Sequence, residues 1–152
     1  MAGELDLAEQ LLHRAVDDEA AAKALLPVKS VTNVIVGQHA QQGVEKAIKA
    51  VLAARGVEFP FIHDIAGLTS LCKNAGIPTP EELRGADQLT PYAGALRYGE
   101  EDLDLVDRDT ALRWVTVAVK WARDIVEQAA EQQQPPKQPT EQDPPQPSPS
   151  SS

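Results

Sequence analysis

A chain of 152 residues has room for one domain with a helical core of moderate size and no second core. Its net charge of −9 counts against broad, non-specific gripping of nucleic-acid backbones, because neutralising phosphates supplies most of that affinity. A small positive pocket remains compatible with that charge. The single cysteine, Cys72, gives neither a disulfide framework nor a thiolate metal site, so it is expected to be a buried core thiol.

In chain order, the first helix is expected from about Leu5 into the Asp17–Ala24 stretch. Leu7, Leu11 and Ala15, with Ala8, Leu12 and Val16, form its apolar stripe, and Glu9, Gln10, His13 and Arg14 face out. Asp17-Asp18-Glu19 marks a place for it to bend, and Pro27 disfavours helix in the residue before it. Val28 to Thr32 is β-branched connector or extended chain. Asn33 suits the N-cap of a long helix, and Gly56 suits the left-handed position that ends it.

That long helix carries the most informative residues. At 100° per position, Val36, Ala40, Val44, Ala47, Ile48, Val51 and Leu52 share one apolar face, while Gln38, Gln42, Glu45 and Lys49 lie opposite. On composition alone the polar stripe reads as a wet face, with Glu45 and Lys49 as an i,i+4 pair. Gln41 breaks the division, since it points between Ile48 and Leu52. An amide at the margin of a core must find partners or cost about 1–3 kcal/mol, which points to a polar site or an interface.

Phe59-Pro60-Phe61 reads as a rigid apolar crossing. Asp64 suits the cap of a third helix, Ile65 to about Asn74, closed by Gly76. Thr79 and Glu82 with Pro80 between them form a capping box for a fourth helix, and Pro91 begins or kinks a short segment from Tyr92 to Tyr98. The loop between Gly99 and Arg108 holds Glu100, Glu101, Asp102, Asp104 and Asp107. It lacks the spacing of a calcium loop and reads as a solvated charge run.

The last helix, Asp109 to about Ala130, places Asp109, Arg113, Thr116, Lys120, Arg123, Asp124 and Glu127 on one face. Ala111, Trp114, Ala118, Trp121, Ala122 and Ile125 take the other. No period-two pattern survives anywhere. The expected fold is an all-α, up-and-down bundle of four to six helices framed by the long second and last helices. Residues 1–130 form the domain, and 131–152, holding seven of the twelve prolines, form a disordered Pro/Gln/Ser-rich tail.

The run Gln38 to Leu52, the following Ala53-Ala54-Arg55-Gly56-Val57-Glu58-Phe59-Pro60, then His63-Asp64-Ile65 and Leu96-Arg97-Tyr98, together resemble a HEPN domain. This all-helical family often stands beside, or is fused to, minimal nucleotidyltransferases. The resemblance covers roughly Leu5 to Val126. It implies a homodimeric accessory or nucleotide-binding module that works with a nucleotidyltransferase partner and takes a nucleotide or RNA. The expected binding residues are Gln38, Gln41, Gln42, Glu45, Lys46, Lys49 and Tyr98, beside Arg97.

The resemblance also implies an alternative, a metal-independent ribonuclease toxin. Its catalytic set would be Arg97 as anchor, with His39 or His63 moving protons. HEPN ribonucleases resemble one another in an arginine followed, after four to six residues, by a histidine. In this chain no histidine follows His63, so that motif is absent as written. Arg55 and His63, with seven residues between them, straddle a helix end and are a coincidental pair.

No glycine-rich phosphate loop, nucleophile elbow or metal-type His/Cys cluster occurs, so neither cofactor nor metal is expected. The N-terminal stretch is acidic and amphipathic, without a basic region or an apolar run near 18 residues. A cytoplasmic protein without signal peptide or membrane span is the expectation.

Overall fold

A computed structural model describes residues 2–95, 97, 99 and 103–133. Four α-helices and two 3-10 segments make up its regular structure: α1 (Ala2–Leu25), α2 (Asn33–Ala54), α3 (Ile65–Asn74), the 3-10 segments Glu81–Leu83 and Ala86–Gly94, and α4 (Arg108–Gln133). Among the described residues there is no strand. The result is the expected all-α bundle.

The helix α2 is the shaft of the bundle. It packs most extensively on α1, then on α4, and also touches α3 and the Ala86–Gly94 segment. Being surrounded, it buries fifteen of its twenty-two residues, far more than one amphipathic stripe. Two glycines permit the close approach. A Cβ on Gly43 would lie 2.3 Å from Val115 Cγ2 of α4 and 3.4 Å from Asp18 Cβ of α1; one on Gly37 would lie 2.5 Å from the Tyr92 ring. Tyr92, wholly buried, in turn accepts through its hydroxyl the backbone N–H groups of Leu105 (2.9 Å) and Val106 (3.2 Å).

Arg108 fixes the start of the shaft. Its guanidinium donates to the carbonyls of Leu25, Leu26, Val28 and Val31 and to the Asn33 side chain. One side chain thereby satisfies the turn between α1 and α2, whose carbonyls have no helical partners. It also sets the starts of α2 and α4 at the same end of the bundle, with α1 antiparallel to both. Asp107 caps α4, accepting the backbone N–H and the hydroxyl of Thr110, both at 2.9 Å. The backbone and side-chain hydrogen bonds from Thr110 hold the Asp107 carboxyl below the usual carboxylate range.

Several local expectations need correction. The helix α1 runs through Asp17-Asp18-Glu19 without a break, because continuous packing on α2 outweighs local capping by acidic residues. Asn33 is the first residue of α2 rather than its cap. Thr32 occupies the cap without a side-chain bond, since the Asn33 amide is drawn instead to Arg108 and Asp104. Asp64 stands at the N-cap of α3 as expected, but makes no side-chain cap bond.

The Thr79 capping box does not form: only the 3-10 turn Glu81–Leu83 follows, with Pro80 at its cap and no side-chain cap bond. Gly85, at φ 91°, breaks the chain too soon for an α-helix to propagate. Pro91 lies inside a 3-10 segment that begins at Ala86, not in a helix starting at Tyr92. The helix α4 continues to Gln133, about one turn past the end expected for it near Ala130. The tail from residue 134, together with Leu96, Tyr98 and Glu100–Asp102, lies outside the described residues.

Other expectations hold. Gly56 (φ 70°) and Gly76 (φ 74°) follow α2 and α3 in the left-handed conformation. Cys72 is buried, and that burial raises its thiol pKa to about 11. No described helix is long and apolar enough to cross a membrane.

Gly43→Ala should lower stability by about 1–3 kcal/mol in urea unfolding, because the overpacking against Val115 exceeds the roughly 0.5–1 kcal/mol that alanine gains over glycine inside a helix.

Candidate functional site

The polar stripe of α2 does not face water. Glu45 is 1 % exposed and Lys49 7 %, and Gln41 is as buried as Glu45. The wet-face reading fails because helices and connectors surround α2 on nearly every side. Gln38 and Gln42 are half-buried and take no part in the network around Glu45.

That network uses both oxygens of one carboxylate. Oε1 accepts Gln41 Nε2 at 2.9 Å and meets His63 Nδ1 at 2.8 Å. Oε2 accepts Lys49 Nζ at 3.0 Å, with Lys46 Nζ farther away at 3.5 Å. The amide that had to find a partner thus finds a buried charge. Among the described residues every buried side-chain nitrogen and oxygen is bonded, the condition for a buried ionic group to persist. Burial pushes the Glu45 carboxyl upward, but hydrogen bonds from His63, Gln41 and Lys49 together with the Lys49 charge outweigh it. The pKa lies below the ordinary glutamate range.

His63 joins the site from the connector between α2 and α3, and its side chain is 70 % exposed. One face of its ring chemistry is therefore tied to a buried carboxylate while the rest meets solvent. If Nδ1 carries the proton, Nε2 is the free acceptor; a protonated ring donates from both.

Beside this network lies a cleft of about 630 Å³. Leu7, Leu11 and Arg14 of α1 form one wall, and Lys46, Lys49 and Ala53 of α2 form the floor. The segment from Gly56 to Phe61 closes the third side, and Glu4 and Glu58 are also at its edge. Phe61 is wholly exposed and Leu7 largely so. Lys49 Nζ sits 5.8 Å from the centre of the Phe59 ring, a cation–π contact that orients it. The cleft therefore pairs ammonium and guanidinium groups with aromatic rings, a combination suited to an anion carrying a flat apolar body.

His39 meets Asp18 of α1 at 3.1 Å, and the Lys46 ammonium turns to Glu45. Arg97 is exposed, and among the described residues its side chain shares no hydrogen bond or ion pair with His39 or His63. Tyr98 lies outside the described residues. Among those residues, no group of three or more His, Cys, Asp or Glu side chains is placed to hold a metal ion. The cleft residues Arg14, Phe59 and Phe61 were not singled out as site residues in the sequence. Only the helical register of Arg14 and the apolar Phe59-Pro60-Phe61 crossing hinted at them.

Removing one partner from a buried, bonded pair costs about 3–5 kcal/mol, so Glu45→Ala should destabilise the fold by roughly 3 kcal/mol or more at neutral pH. Because the Glu45 pKa is depressed in the folded state, its contribution is complete above the ordinary glutamate range and is lost as pH falls through the depressed value. The gap between wild type and Glu45→Gln in urea midpoints should accordingly narrow in strong acid.

Comparison with protein families gives one match, to the HEPN domain, over residues 8–131. Comparisons with curated proteins and with solved structures give no match. The matched span includes α2, the network around Glu45 and most of α4, and it agrees with the all-helical fold. The chain belongs to the HEPN domain family.

Proposed function

We propose that this HEPN domain is a binding module for nucleotide-type ligands, working as a homodimer beside a minimal nucleotidyltransferase partner. The observation that carries the ligand class is the cleft. Lys46 and Arg14 offer charge to phosphate, and exposed Phe61 with Phe59 offers faces on which a base stacks. The overall negative charge leaves such binding to individual cations, and Arg14 and Lys46 supply them at this cleft. The dimer and the nucleotidyltransferase partner rest on the family, and the exposed Phe61 and Leu7 supply apolar surface of the kind interfaces use.

Calorimetric titration with nucleotides and short oligoribonucleotides tests the ligand reading. Lys46→Ala and Phe61→Ala should each weaken binding by about tenfold, since stacking on one base is worth about 1–3 kcal/mol and 1.4 kcal/mol is tenfold. Unchanged affinity in both variants would place the ligand elsewhere. Light scattering that finds a monomer at micromolar concentration would remove the dimer, and failure to co-purify a nucleotidyltransferase from the native host would remove the partner.

A second reading, a metal-independent ribonuclease, is favoured by one observation: an exposed imidazole oriented by a buried carboxylate, the arrangement that prepares a histidine for proton transfer. A metal-free RNA-cleavage assay decides it. Cleavage lost in His63→Ala supports this reading with His63 in the role; cleavage lost only in Arg97→Ala would move the chemistry to Arg97; no cleavage by the wild type removes the reading.

A further inference from the structure

Glu45 is shared among more cations than it can neutralise. Oε1 is taken by the Gln41 amide and His63, and Oε2 by Lys49, which leaves Lys46 as the loosest partner at 3.5 Å. Lys46 and Lys49 are also two of the cations on the cleft floor. Charge on the imidazole therefore competes for the carboxylate that restrains the very groups a phosphate would meet.

We infer that anion binding in the cleft is linked to protonation of His63, with Glu45 as the shared counter-ion through which the imidazole sets how much positive charge Lys46 presents. The inference rests on the ligand reading above and adds its regulation. The His63–Glu45 contact persists in both charge states, because Nδ1 donates in the imidazolium and in the Nδ1–H tautomer alike. What changes is the count of charges. Around the site stand Lys46, Lys49 and Glu45 of α2, Glu4 and Arg14 of α1, and Glu58 and Asp64 of the connector. With a neutral imidazole this group carries one net negative charge, and with an imidazolium it carries none.

An imidazolium 2.8 Å from Oε1 takes a larger share of the Glu45 charge. Lys46, whose ammonium is a mobile point charge on a flexible stem, is then released toward the cleft. Lys49 stays, held by its shorter bond and by the Phe59 ring.

The test uses the full chain and an oligouridylate with hydroxyl ends, whose phosphodiesters keep one charge throughout. Calorimetric titration at about pH 5.5 and about pH 8 should show binding tighter at the lower pH by about fivefold, the lower end of usual coupling between linked sites. His63→Gln, which keeps an amide donor for Glu45 at an exposed position and should fold, is expected to bind equally at both. Linkage is reciprocal, so saturating oligouridylate should raise the titration midpoint of the His63 ring resonance in NMR. Equal wild-type affinity at the two pH values, or a pH dependence that survives in His63→Gln, would overturn the link while leaving the ligand reading intact. No binding at either pH would overturn both.

Discussion

A carboxylate buried in the middle of a helix sets the terms for everything around it. Glu45 cannot be dry and charged without partners, because the uncompensated cost would be several kcal/mol. Its four neighbours come from two directions. Gln41, Lys46 and Lys49 arrive by helical periodicity along α2, and His63 arrives from the connector that the fold lays across it. The connector is thus bound to the shaft by polar as well as apolar contact, and its Val57–Phe61 stretch becomes the wall of a cleft.

The same shaft explains the cleft's position. Gly37 and Gly43 bring Tyr92, α1 and α4 close along the first half of α2, leaving little room there. Space opens between the start of α1 and the residues after Gly56. The cleft therefore lies at the end of the bundle opposite Arg108, beside a second half of α2 that is itself buried.

Much of the architecture was legible. Apolar periodicity gave the two framing helices, Gly56 and Gly76 gave two ends, and the Trp114 and Ala118 face of α4 is buried as its spacing required. Local capping signals fared worse. Thr79 failed because Gly85 follows six residues later, before an α-helix can propagate, and Asn33 failed because Arg108, distant in sequence, claims its amide. Of the site residues, Gln41 was flagged for the right reason, an amide in a core. Glu45 and Lys49 were chosen for a stripe thought wet and turn out to be the buried heart of the network. Arg14 and Phe61 went unflagged as site residues because a lone exposed arginine or phenylalanine carries no periodic signal.

The sequence by itself determined the helical class, the long apolar-faced helices and the family, since these depend on spacings of three and four residues along one element. The tertiary structure alone decided that α2 is enclosed on its polar side, that His63 rather than His39 reaches Glu45, and that His39 turns to Asp18 of α1. Those outcomes depend on which residues meet across 18 or more positions of chain, where periodicity is silent and packing decides.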